Sequence, residues 1–181
     1  MNTSLIVVDV QPAYHPWCAS IARKVASRIN NTRKPTTIVW VGEDYTGDTE
    51  EDVREYLREM GARPGKLDRC RFIEKTYGFF RSWMDHGVDD AIIVKVGAEL
   101  IRTNLGSSDM LDLPALLGED EAHCLPSNDS IYLPHFDDSS LRGFKSFETC
   151  GGGREECLAE FELYLSMLER PVTRLPHLVY G

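Results

Sequence analysis

At 181 residues, 42% of them apolar and 27% charged, the chain can build one buried core and is expected to form a single domain over residues 1–181. Its net charge of −9 is spread along the sequence, which argues against nucleic acid as a partner, because phosphate binding needs clustered lysine and arginine. No apolar run approaches the roughly 18 residues of a membrane span, and the five cysteines, odd in number and without a C-x-x-C pair, argue against a disulfide framework and a cysteine zinc site.

The start, Met-Asn-Thr-Ser, has no basic region and no cleavage site of a secretory leader. The expectation is a cytoplasmic chain with reduced thiols, no membrane association, no metal and no cofactor. The basic residues Arg63, Lys66, Arg69 and Arg71 alternate with Asp68 and Glu74 and read as a solvated loop.

Leu5–Val10 is apolar on both faces, as a central strand of a parallel sheet would be, and Pro12 ends it because proline cannot donate to a ladder. Ile21, Val25 and Ile29 recur at helical spacing and predict a helix from about Trp17 to Asn30. Thr36–Val41 is the second strand. A polar loop, Gly42 to Thr49, follows, with Asp48 or Thr49 placed as N-cap of a helix over 50–60 that stops at Gly61. Arg63–Arg69 reads as a loop, Cys70–Lys75 as a short strand, Phe79–His86 as a helix and Ala91–Val96 as another strand.

From Gly97 to Asn128 the signals weaken, apart from a helical fragment near Leu111–Leu117. Ile131–Leu133 reads as extended, and Lys145–Cys150 as a strand. Arg154–Arg170 is the clearest helix, with Cys157, Phe161, Tyr164 and Leu168 on one stripe. Val172–Val179, interrupted by Pro176, reads as an edge strand. Apolar strands alternating with helices predict an α/β fold: a doubly wound, mostly parallel sheet flanked by helices.

Cys150-Gly151-Gly152-Gly153-Arg154-Glu155-Glu156-Cys157 places three glycines between a strand and a helix. Such a turn permits positive φ and leaves N–H groups at the positive end of the helix, where a developing oxyanion is stabilised. The same field favours a thiolate at Cys157, which makes it the expected most reactive of the five thiols. The competing reading is that Cys157 is a small core residue on the apolar stripe. Asp9, a carboxylate at the carboxyl end of the first strand, sits where doubly wound sheets place their sites, or else caps a loop. Lys75 closes a short extended stretch. A lysine, an aspartate and a cysteine together make sense, since the ammonium favours the thiolate and the carboxylate takes its proton.

Leu5–Gln11 (LIVVDVQ), Lys75 with Phe79 and Phe80, and Gly151 leading to Cys157-Leu158 resemble the isochorismatase-like cysteine hydrolases. The resemblance implies a three-layer α/β fold and hydrolysis of a small-molecule amide or related acyl C–N bond. It assigns Cys157 as nucleophile, Asp9 as general base and Lys75 as the cation, with an oxyanion held by the N–H groups of Glu155, Glu156 and Cys157. Around such a site Gln11, Tyr14, Tyr77, Phe79, Gly152 and Gly153 are the expected substrate contacts. The resemblance also implies an insertion near 97–138, no nicotinamidase-type metal site, because the loop after the second strand has no histidine, and possible assembly into a homo-oligomer. Lys95 and His135 are alternatives for the place of Lys75.

Two other readings stand beside this one. Asp9, Glu43, Asp44 and Asp48 form an acidic set suited to Mg²⁺, as in a phosphodiesterase or nuclease. A non-catalytic binding or regulatory module on the same fold is the other.

Overall fold

The computed structural model describes all residues except Met1, Tyr77 and His135. In chain order the elements are β1 (Thr3–Val8), α1 (His15–Asn31), β2 (Thr36–Val41), α2 (Glu43–Thr46), α3 (Glu50–Glu59), α4 (Pro64–Leu67), β3 (Arg71–Lys75), α5 (Arg81–Asp85) and α6 (Asp90–Thr103). There follow α7 (Leu113–Leu117), α8 (Glu119–His123), α9 (Ser139–Arg142), β4 (Ser146–Gly151), α10 (Cys157–Met167) and β5 (Val172–Val179).

Every strand pair is parallel, and the order across the sheet is β3-β2-β1-β4-β5. The chain winds outward from β1 through β2 to β3, then returns to the other side of β1 for β4 and β5. The order reverses between β1 and β4, and a doubly wound sheet opens a crevice at such a switch point, beyond the carboxyl ends of the strands.

Alternation along β1 explains the three layers. Leu5 and Val7 face a core built with Cys18, Ala22, Val25 and Ile29 of α1 and Val53 and Leu57 of α3. Ile6 and Val8 face the opposite core, with Ile93, Val96 and Leu100 of α6 and Leu158, Phe161 and Leu165 of α10. Buried on both faces, β1 needs apolar side chains at successive positions, which is why its sequence does not alternate. The edge position expected for Val172–Val179 is the one observed, with its pairing to β4 interrupted between Thr149 and Gly151. Thr49 caps α3 in a reciprocal arrangement with Asp52.

One expected strand is a helix. Ala91–Val96 lies within α6, capped by the Asp89 side chain on the Ala91 N–H. Its buried residues Ile93, Val96, Gly97 and Leu100 fall at i, i+3, i+4 and i+7, so they form one helical stripe. Gly97 lets α10 approach closely: a Cβ there would lie 2.3 Å from the Met167 side chain. Ser107 and Tyr132 form an isolated antiparallel bridge beyond α6, which accounts for the extended reading near Ile131. No helix among the described residues is long and apolar enough to cross a membrane.

Gly151 ends β4 at φ +113°, and a Cβ there would stand 1.9 Å from the Val8 carbonyl oxygen. Gly47 also has positive φ, but open space surrounds it. Gly151→Ala is therefore expected to cost about 3 kcal/mol or more, from backbone strain and the clash together. Gly47→Ala should cost about 1–2 kcal/mol, from conformation alone. Equilibrium denaturation of both variants checks the ordering.

Candidate active site

β1 ends in a turn that aims a carboxylate into the switch-point crevice. Asp9 adopts φ +52°, a left-handed conformation that aspartate tolerates better than most residues. Its N–H donates to Val39 O at 2.8 Å, and its carbonyl accepts from the Tyr180 hydroxyl at 2.8 Å. The side chain is 1% exposed.

Two strands away, β3 delivers Lys75, whose side chain is fully buried. Its Nζ stands 3.2 Å from Asp9 Oδ2, an ion-pair distance without the alignment of a full hydrogen bond. Register brings the pair together: Val41 lies opposite Lys75, and the Gly42 N–H closes the ladder on the Lys75 carbonyl at 3.2 Å.

The third group comes from across the switch point. Cys157 is the first residue of α10, half-buried behind the glycine turn. Gly153 at φ +60° turns the chain, and its carbonyl accepts from the N–H groups of Glu156 (2.8 Å) and Leu158 (3.1 Å). Of the three N–H groups expected to hold an oxyanion, that of Glu156 is therefore taken. Those of Glu155 and Cys157 donate to no backbone carbonyl among the described residues.

Asp9, Cys157, Tyr14, Trp17, Gly153 and Tyr180 line one cavity of about 550 Å³. Tyr14 and Trp17 meet edge to face, 6.2 Å between centroids, and Trp17 remains 61% exposed at the mouth.

The electrostatics differ from the expectation in one respect. Burial and the neighbouring Asp9 carboxylate push the Cys157 thiol up to about 12, and Lys75 opposes this only in part. The helix-start position is thus opposed by two effects the sequence does not show: desolvation and a facing carboxylate both favour the neutral thiol. Burial also lifts the Asp9 carboxyl above its ordinary range, against the pull of Lys75. Lys75 itself is held as an ammonium, because Asp9 and the other nearby anions outweigh its burial.

Other sequence-derived assignments change. Gln11 is fully buried and does not line the cavity. Its Oε1 accepts from the Val41 N–H at 2.9 Å, and its Nε2 donates to Val41 O at 3.2 Å and to Asp48 Oδ2 at 2.8 Å. It is a brace between β1 and β2, with no polar atom left for a substrate. Phe79 packs in the core against Phe80 and Tyr164. Gly152 lies beneath the Tyr180 ring, where a Cβ would collide 1.7 Å from Cζ, so it makes room for a side chain of the protein. Lys95 is exposed on α6 and not at a strand end. Tyr77 and His135 lie outside the described residues.

The acidic set does not assemble. Asp48 is engaged by Gln11 and by the Ala13 N–H at 3.0 Å, while Glu43 and Asp44 lie exposed on α2. Among the described residues no group of three or more His, Cys, Asp or Glu side chains is placed to hold a metal ion.

Two site residues escaped the sequence reading. Tyr180 follows β5 at the carboxyl edge of the sheet, the position that marks site residues in this architecture. Glu160 is 1% exposed one turn beyond Cys157, a carboxylate within an otherwise apolar stretch of helix.

No family model matches the sequence, and no curated protein matches it. Among solved structures, the MAR1 ribonuclease from Caenorhabditis elegans is similar at 13% identity and a TM-score of 0.49, over 99% of this chain and 65% of that one. This chain thus spans less than two-thirds of that protein's length. Similarity at that level says nothing about activity or site residues.

With its thiol neutral at rest, Cys157 should react slowly with limiting iodoacetamide near neutral pH, well behind the exposed Cys124. Its rate should climb through about pH 10 without a plateau. Asp9→Asn removes the charge that raises the thiol, so it should speed Cys157 alkylation by about tenfold, one pKa unit's worth. Peptide mapping by mass spectrometry reads both effects, and a Cys157 plateau below about pH 8 in the parent chain would count against this electrostatic picture.

Proposed function

We propose that the chain is a cysteine-dependent hydrolase of a small-molecule amide or related acyl C–N bond, of the isochorismatase-like kind. Cys157 is the nucleophile, Asp9 the base and Lys75 the cation that holds Asp9 in place. The observation that supports this most is the convergence of the three groups, from β1, β3 and α10, at the topological switch point, with Asp9 and Cys157 on one cavity. The same convergence favours chemistry over a purely binding role, since a buried lysine and carboxylate are costly to desolvate and add little to the binding of a neutral ligand.

With Lys75 opposing the lift that burial gives Asp9, a protonated thiol beside that carboxylate suits a reaction in which the proton moves as the bond forms. Asp9 accepts the thiol proton while Sγ bonds to the acyl carbon, and the carbonyl oxygen takes up the negative charge. The N–H groups of Glu155 and Cys157 are the donors available to that oxygen. As the C–N bond breaks, Asp9 returns its proton to the leaving nitrogen, which leaves a thioester on Cys157. Water then attacks the thioester, Asp9 takes a proton from the water, and the sulfur leaves as thiolate and recovers the proton from Asp9. One acid and one amine result from one amide and one water. Lys75 stays an ammonium throughout. Tyr14, Trp17 and Tyr180 offer aromatic surface around the reacting centre, so the substrate has a small apolar or planar part.

The test is a panel of small amides, with mass spectrometry of the Cys157 peptide to trap an acyl adduct. Cys157→Ala and Asp9→Asn should each lower turnover by about a thousandfold or more, and the double variant no further, as members of one unit behave. Turnover that survives Cys157→Ala and disappears with a chelator would sink the assignment and favour the acidic metal site.

A further inference from the structure

Glu160 takes no part in the steps above, yet it is buried and its charge acts on the same lysine. It lies one turn beyond Cys157 on α10, and its Oε1 accepts hydrogen bonds from two successive backbone N–H groups, Phe79 at 2.7 Å and Phe80 at 2.5 Å. Gly78 passes beside it, close enough that a Cβ there would lie 3.7 Å from Oε1. Phe79 and Phe80, so gripped, come four and five residues after Lys75, the last residue of β3. Helix α5 starts at Arg81, two residues later than its sequence suggests, directly after the two residues whose N–H groups the carboxylate holds.

We propose that Glu160 is a positioning residue for the Cys157 centre. It fixes the chain that carries Lys75 onto the helix that carries the nucleophile, and its charge balances the Lys75 ammonium whenever Asp9 holds a proton. The second half of this rests on the proposed role of Asp9 as base; the first half does not.

The need for such a charge follows from counting. In the resting site the Lys75 ammonium stands 3.2 Å from Asp9 at the end of β1 and also feels the charge of Glu160 on α10, while burial and Asp9 favour the neutral Cys157 thiol. When the thiol proton passes to Asp9, the fully buried lysine loses its nearest anion. Glu160 is a second carboxylate whose charge acts on Lys75, so the ammonium still feels an anion inside the protein. The remaining charges close by do not replace it. Arg81 is engaged outward with Asp85 and with Glu156 at 3.4 Å, both exposed. Tyr180 presents a neutral hydroxyl to the Asp9 carbonyl. Glu160 also acts on the thiol, adding to the anionic field that raises it.

Glu160→Gln separates grip from charge, because a glutamine oxygen can accept the same two N–H groups. The measurement is the pH dependence of Cys157 alkylation by iodoacetamide, followed by peptide mapping, with circular dichroism and thermal melting to confirm the fold. The expected result is a folded variant in which Cys157 reacts about fivefold faster near pH 8, its curve displaced to lower pH. A folded variant whose curve superimposes on that of the parent chain would overturn the charge role. Burial lifts the Glu160 carboxyl above its ordinary range, and the Phe79 and Phe80 N–H groups and the Lys75 ammonium oppose that lift. Titration of ¹³Cδ-labelled glutamates in the unaltered chain decides which wins however the variant folds: the proposal requires Glu160 ionised at pH 7, and a carboxyl still protonated there refutes it. Neither measurement uses a substrate. An alkylation curve unmoved by Glu160→Gln leaves the cysteine chemistry standing, whereas absence of any acyl adduct on Cys157 removes the hydrolase reading without touching the curve.

Discussion

The ion pair between Asp9 and Lys75 is the constraint around which the rest of the site is arranged. Two charged groups with almost no exposure lie 3.2 Å apart at the ends of strands separated by β2. Removing both ions from water costs several kcal/mol each before their attraction offsets it, and well-packed apolar residues at the same places would be at least as stable. Stability alone therefore does not account for the pair. Its geometry asks for a left-handed Asp9, for a β2 that both neighbours match in register, and for Gln11 to brace β1 against β2 through the backbone of Val41. With one partner missing, the other would remain a buried uncompensated charge, a loss of about 3–5 kcal/mol. The pair thus ties the position of the base to the integrity of the sheet.

Much of this architecture was legible in the sequence because central parallel strands carry a strong signal. LIVV and TIVWV are buried runs with apolar side chains at successive positions, within β1 and β2. The same signal misled at AIIVKV, which reads like a third such run yet lies in α6. A short apolar run cannot by itself distinguish a buried strand from a buried helix. Wider context resolves it: an Asp89 cap before the run, and Gly97 and Leu100 continuing its stripe beyond Val96.

The candidate site was legible where backbone geometry leaves a compositional trace. An aspartate closing an apolar strand and a cysteine behind three glycines are such traces. Lys75 carried a weaker one, as the last residue of a short strand. Glu160, Tyr180 and Gln11 show why the remainder was hidden. Glu160 is defined by two N–H groups about eighty residues away, Tyr180 by a carbonyl 171 residues away, and Gln11 by the edge of β2. None of these partners is local. The forces that raise the Cys157 thiol were hidden for the same reason, since the helix start is visible in the sequence but the burial and the facing carboxylate are not.

The order of strands has a consequence for how the chain is made. β1 occupies the middle of the sheet, but the strand that covers its second edge arrives much later: Thr3 pairs with Ser146, 143 residues on. At ribosomal speeds of about 5–20 residues per second, an apolar strand waits on the order of ten seconds for its neighbour. Pairings of this sequence separation close slowly even once all partners exist, because loop-closure entropy must be overcome first. During that interval Leu5–Val8 offers an open edge to any other nascent strand. The nucleophile and its base therefore first meet only after Cys157 has been added, 148 residues behind Asp9.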